Sequence, residues 1–208
     1  MSTLVLVRHA QARAFEKDSD RLSETGEQQA ILLGEYWRAR AAKFDEVYTG
    51  TFLRHTRTAE LAGFDKFERR EEFNEYDAGR ILGALADYAP PRDNRELQNM
   101  FERAMPLWIK GELRAPGLES WQPFRERVMR GLRAIIDAER PSRRIAVFTS
   151  GGPIGIAVQT VLQAPERIAI ELNWRIRNCS LTEFIFTRDR ISLDIFNTTP
   201  HLQEITFR

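Results

Sequence analysis

Short continuous apolar runs alternate along the chain with longer segments whose apolar residues recur every three or four positions. Residues 3–7 (TLVLV) form the first run and predict a buried strand. A polar segment follows at 12–21. Beyond it, Ala30, Leu33, Trp37 and Ala41 share one face, which predicts a long helix. Ser23 is its expected N-cap, with Thr25 and Gln28 as an alternative capping box. FDEVYTG (44–50) predicts a short strand, and residues 51–63 a helix that Gly63 ends. In 93–113, Leu97, Phe101, Ala104 and Trp108 line one helical face, and Pro106 is expected to break or kink it. In 119–139, Trp121, Phe124, Val128, Leu132 and Ile135 repeat that pattern. RRIAVFTS (143–150) predicts a strand, and 151–163 a short apolar helix. Residues 180–197 predict two strands with a turn near Arg188–Asp189–Arg190.

Strands alternating with helices argue an α/β fold: three layers, a mostly parallel sheet with helices on both faces. The chain is expected to be one domain over residues 1–208, with a helical insertion at about 80–118. Within that insertion, 93–108 reads as a lid or side elaboration.

Composition narrows the function. The sequence has 208 residues, enough for a sizeable core, and its 31 Lys and Arg nearly cancel 30 Asp and Glu, for a net charge of +1. No field of one sign points to nucleic acid or to a membrane surface. The run Arg69–Arg70–Glu71–Glu72 neutralises itself and is expected to be a solvated face. A lone cysteine, Cys179, excludes an internal disulfide and fits a reducing, cytoplasmic setting. It falls in NCSLTEF, which alternates like a strand, so a packed thiol is expected rather than a nucleophile. No stretch resembles a signal peptide or a membrane span. The three histidines, His9, His55 and His201, show no metal-ligand spacing, so neither a metal nor a cofactor is expected.

The polar residues that close the predicted strands carry the chemistry. In open α/β sheets, ligands bind beyond the carboxyl ends of the strands. Arg8 and His9 end the first strand with no turn residue between. Thr49 and Gly50 end the second, and Arg54 opens the helix after it. Thr149, Ser150, Gly151 and Gly152 end IAVF and open another helix. Forked cationic donors beside a glycine-rich helix start make an anion site, and phosphate is the best match. Ser150 on a strand-to-helix turn also suggests a hydrolase nucleophile elbow. That pattern needs a glycine where Phe148 stands, so a serine esterase is not favoured.

These segments resemble the histidine phosphatase superfamily, the phosphoglycerate-mutase-like fold. VRHAQA is similar to its RHG-type signature, with Ala10 in place of glycine. LSETGEQQAILLG resembles its L[ST]xxGxxQAxxLG helix, VYTGTFLRHTRTAEL its YSSxxxRAxxTA segment, and FNEYDAG its LNE-type segment. IAVFTSGGPI aligns with VVSHGGxI, and NCSLTEF and the final HL also fit.

The resemblance implies a metal-independent phosphatase acting on a phosphate ester or other phosphorylated substrate. His9 is then the nucleophile that is transiently phosphorylated. Arg8, Arg54, Ser150 and Gly151 hold the phosphoryl group, and Glu75 is the proton donor, with Asp77 a nearby competitor. A neutral imidazole with a fixed tautomer is a competent nucleophile near neutral pH. One departure stands out: Ser150 occupies the place of the family's second histidine, which donates to the transferring phosphoryl group. His55, next to Arg54 on a helix, is expected to point elsewhere, and His201 fits a segment of ordinary members. Two other readings stay open: a catalytically weak phosphate-binding relative, and a phosphomutase.

Overall fold

The computed structural model describes residues 1–13, 20–138 and 142–207. Residues 14–19, most of the predicted polar segment, lie outside the described residues. In chain order the elements are β1 (Ser2–Arg8), α1 (Glu24–Ala39), β2 (Glu46–Thr49), α2 (Leu53–Leu61), β3 (Glu68–Arg69), a 3-10 turn (Glu71–Phe73), α3 (Ala78–Gly83), α4 (Asn94–Ile109), α5 (Trp121–Ile136), β4 (Arg144–Thr149), α6 (Gly151–Val161), α7 (Arg167–Asn173), β5 (Leu181–Phe186) and β6 (Ile191–Thr198).

The strands form one sheet in the order β3-β2-β4-β1-β5-β6. Pairings are parallel from β3 to β1 and antiparallel on both sides of β5, so β5 alone runs against the rest. The predicted mostly parallel sheet is therefore present. β1 and β4 sit at its centre, which explains why both read as unbroken apolar runs: each buries two faces. Leu4, Leu6, Ile145 and Val147 enter one core with α3 to α7. Val5, Val7, Ala146 and Phe148 enter the other with α1 and α2. Helices thus cover both faces, as expected.

Ser23 caps α1, accepting from the Gly26 amide at 3.0 Å. Two expectations need adjustment. Of the break or kink expected at Pro106, the break is absent: helix α4 runs through it to Ile109. The proline lies in the last turn and costs one backbone bond, and the Lys110 amide donates to the Pro106 carbonyl at 3.1 Å, so the ladder resumes beyond it. Burial of Ala104, Met105 and Trp108 holds that turn in place. Cys179 is not in a strand either. It occupies a turn before β5 with φ of 55°. It is nonetheless a packed thiol, and burial pushes its pKa up. Among the described residues, no helix is long and apolar enough to cross a membrane.

Candidate active site

The parallel register brings the carboxyl ends of β1 and β4 side by side, with Arg8 opposite Thr149. His9, the next residue, is held at both backbone ends. Its amide donates to the Thr149 carbonyl at 2.8 Å, and its carbonyl accepts from the Cys179 amide at 3.1 Å. The ring is fixed as well: Nδ1 lies 2.8 Å from the Ala10 carbonyl oxygen. A carbonyl only accepts, so Nδ1 carries the proton and Nε2 keeps its lone pair. Burial, then the charges of Arg54 and Arg8, then His55, hold the His9 pKa well below its ordinary value, against the opposing pull of the Ala10 carbonyl. His9 is therefore neutral at neutral pH, with a defined nucleophilic nitrogen.

Arg8 and Arg54 flank it. An Arg8 guanidinium nitrogen donates to the Ile176 carbonyl. Arg54, in the first turn of α2, donates from Nη1 to Asp20 Oδ1 at 2.8 Å and stacks over the Phe52 ring at 4.4 Å. The other Asp20 oxygen accepts from the Leu53 amide at 2.8 Å. One carboxylate thus caps α2 and aims its arginine. Thr58 ties the two arginine-bearing segments together: it accepts from the Ala10 amide at 3.1 Å and donates to the Arg54 carbonyl at 2.6 Å.

His55 does not point elsewhere. It is fully buried, its Nε2 lies 2.7 Å from Ser150 Oγ, and its ring is 5.7 Å from that of His9. The expectation failed because no stripe of large apolar residues marks the inner face of α2; its buried residues are His55, Thr56, Thr58 and Ala59. Burial and the Arg54 charge keep His55 neutral, holding its pKa well below the usual range. The ring fits because residue 50 is glycine: a Cβ there would lie 2.1 Å from Nδ1 and 2.7 Å from Cε1. Gly50→Ala is expected to expel the imidazole or shift β2, destabilising the fold by about 1–3 kcal/mol. A thermal melt beside wild type checks this.

Glu75 leaves the 3-10 turn and approaches α6. Its Oε2 accepts from the Gly152 amide at 2.9 Å, and its Oε1 from the Tyr76 amide at 3.2 Å. Only glycine permits this approach, since a Cβ on residue 152 would sit 2.0 Å from Oε1. The helix start that the sequence suggests for phosphate thus spends one amide on a carboxylate. Though partly exposed, Glu75 is crowded by protein. That desolvation raises its pKa despite the Gly152 amide, Arg54, the Tyr76 amide and Arg8, which pull the other way. Asp77 is no competitor. It is exposed, caps α3 through the Arg80 amide at 3.0 Å and pairs with the Arg80 side chain. Gly151 begins α6 with its Cα against Asn173, where a Cβ would meet Oδ1 at 1.9 Å. Ser150, His9, Arg8, Arg54 and Glu75 are therefore gathered at the carboxyl ends of the central strands.

Residues 4–199 match the histidine phosphatase superfamily (branch 1). The chain belongs to that superfamily. Among its relatives, the probable phosphoglycerate mutase GpmB of Salmonella choleraesuis (strain SC-B67) is 30% identical over 196 residues, covering 88% of this chain and 84% of the relative. Among solved structures, phosphoglycerate mutase from Bacillus anthracis str. Sterne superposes with a TM-score of 0.72 at 19% identity, covering 96% of this chain and 94% of that one. Phosphoserine phosphatase from Entamoeba histolytica in complex with 3-phosphoglyceric acid superposes with a TM-score of 0.70 at 19% identity, covering 97% and 99%. These likenesses establish the fold.

The candidate site of this superfamily member also contains residues that the sequence did not single out. Besides Asp20, Arg127 braces the Glu75 loop. It holds Glu119 in a forked pair, with Nε at 2.9 Å and Nη2 at 2.7 Å, while its Nη1 donates to the Glu71 and Asn74 carbonyls at 2.8 and 3.1 Å. Thr149 adds a bond from its hydroxyl to the Phe73 carbonyl at 2.6 Å. No sequence pattern marks Arg127, which sits at an ordinary polar position of an amphipathic helix. His201 stands apart, 5.9 Å from the Tyr36 ring, its pKa pushed down to about 4 by burial. Among the described residues, no cluster of three or more metal-binding side chains occurs.

Proposed function

We propose that this chain hydrolyses a small phosphate monoester through a phosphohistidine on His9, without a metal ion. The observation that carries this reading is the Nδ1 bond to the Ala10 carbonyl, which leaves the Nε2 lone pair among two arginines and a carboxyl of raised pKa. Phosphoryl transfer asks the protein mainly for position and charge. In the first half, Nε2 attacks phosphorus, the P–O bond to the leaving group breaks, and Glu75 protonates the departing oxygen. In the second, Glu75 takes a proton from water, whose oxygen attacks phosphorus. The P–N bond breaks, inorganic phosphate leaves, and the starting protonation states return. Arg8 and Arg54 neutralise the phosphoryl oxygens in both halves.

Hydrolysis of p-nitrophenyl phosphate that survives a chelator tests the reading. Activity lost on chelation and restored by a divalent ion would overturn its metal-free form. Arg54→Lys keeps the charge but loses the fork that Asp20 orients, so kcat/KM is expected to fall by about 10²-fold. Parent-like kinetics would remove Arg54 from the phosphate site. Selection among substrates is assigned to the segment between Glu75 and Glu119, which includes the helical insertion at about 80–118.

The 30% identity to a probable phosphoglycerate mutase favours a second reading, a phosphomutase. The fate of the phosphoryl group separates the two: release as inorganic phosphate supports hydrolysis, and return to another hydroxyl of the substrate supports the mutase. Ser150 in the place of the second histidine favours a phosphate-binding relative without turnover. Phosphate binding with no hydrolysis and no phosphohistidine would decide for it.

A further inference from the structure

We infer that His55 is a positioning residue that turns the Ser150 hydroxyl into a fixed hydrogen-bond donor to the transferring phosphoryl group. The inference rests on the phosphohistidine reading above and assigns a role to a side chain which that reading leaves unused.

The two ring nitrogens of His55 have different surroundings. Nε2 is 2.7 Å from Ser150 Oγ. Nδ1 is buried against Gly50 and has no hydrogen-bond partner among the described residues. A neutral imidazole carries one proton, on one nitrogen or the other. With the proton on Nδ1, a buried N–H would lack an acceptor. With it on Nε2, only a lone pair goes unmatched, and orphaned donors are the rarer case in folded proteins. Nε2 therefore donates to Ser150 Oγ. Its hydroxyl, acting as acceptor there, is left to donate in another direction.

Ser150 has no competing use for that proton. It is the N-cap of α6, yet its side chain makes no capping bond to the helix. It is 1% exposed, and His55 is its side chain's one hydrogen-bond partner among the described residues. It follows Thr149, whose carbonyl holds the His9 amide, and its hydroxyl is bonded to a ring whose centroid lies 5.7 Å from that of His9, which sets it in the neighbourhood of the nucleophile. A donor whose oxygen already accepts a hydrogen bond is polarised and strengthened. The chain from Nε2–H through Oγ–H to a phosphoryl oxygen supplies a donor with no net proton movement. His55 stays neutral throughout, in keeping with its lowered pKa. The chain thus keeps a histidine at this point of the site, one residue removed from the phosphate, with serine as the contact. Ser150→His would drive a second ring toward His55, whose Nε2 already lies 2.7 Å from Oγ, so the exchange is expected to displace His55.

The test is a double-mutant cycle on p-nitrophenyl phosphate, with melting temperatures to exclude unfolded variants. Ser150→Ala is expected to lower kcat by about 10²-fold with KM little changed, the loss typical of one oxyanion donor. His55→Leu leaves the hydroxyl without its partner and is expected to lower kcat by about tenfold. The double variant should be no slower than Ser150→Ala, because the two act as one unit. His55→Gln, whose amide nitrogen reaches the same place but does not titrate, should recover most of the loss with an unchanged pH profile. Additive losses, or a His55→Gln as slow as His55→Leu, would overturn the inference. So would a His55→Leu that matches wild type while His9 is still phosphorylated, and the phosphatase reading would then survive. A wild type that neither turns over nor labels His9 removes that reading and the inference with it.

Discussion

His9→Ala is expected to lower turnover of p-nitrophenyl phosphate by about 10⁴-fold or more, since no other described group sets a free nucleophilic lone pair beside the two arginines, and the bare nitrogen of His55 is buried against Gly50. Arg8 and Arg54 only donate, Glu75 is engaged with two backbone amides, and Ser150 and His55 are bonded to each other. The variant should keep its fold, because the bonds that anchor residue 9 to β4 and Cys179 are backbone bonds. It should also still bind inorganic phosphate, since both arginines remain. Rapid quench with a ³²P-labelled donor should leave acid-labile label on the peptide carrying His9 in wild type and none in the variant. Label on another residue, or turnover that survives the substitution, would sink the covalent mechanism. The position of the His9 tautomer makes the prediction sharper: ¹⁵N spectra of the ring should show Nδ1 protonated and Nε2 bare at neutral pH.

Much of this site was legible because its residues interrupt strong patterns. The TLVLV run stops abruptly at Arg8 and His9, and IAVF stops at Thr149 and Ser150, so the central strands point to their own carboxyl ends. Trp121, Phe124, Val128, Leu132 and Ile135, all buried, show how faithfully an apolar stripe reports a helix face. The same reasoning went blind where no stripe exists. In α2 the buried face is largely His and Thr, because it lines a polar site, and the sequence therefore could not set the helix phase that turns His55 inward. Asp20 and Arg127 act on residues 34 and more than 50 positions away, through contacts that only the tertiary fold creates. Strand β3, two residues long, lacks a pattern of its own and exists by pairing with β2.

Glu75→Gln is expected to separate the two halves of the reaction. The carboxyl has a pKa raised from its ordinary 4.5, chiefly by burial, and His9 one lowered well below 6.5. Phosphorylation of His9 needs His9 neutral and Glu75 protonated. As pH falls through the His9 pKa, the nucleophile gains a proton and the rate drops. As pH rises through the raised Glu75 pKa, the acid is lost and the rate drops again. The optimum for an alkyl phosphate should therefore lie between the pKa values of these two groups, and Glu75→Gln should erase the basic limb and cost about 10²–10⁴-fold. The p-nitrophenolate ion leaves without needing a proton, so phosphorylation by the aryl ester should suffer far less. Water attack on the phosphohistidine still needs the carboxylate as base, so the variant should give a burst of nitrophenol followed by a slow steady state, with label accumulating on His9. Equal losses on both esters with no burst would mean that Glu75 holds the α6 amide in place and moves no proton. Gly152→Ala, which pushes a methyl group into Glu75 Oε1, should reproduce the loss on the alkyl ester with the carboxyl chemically intact.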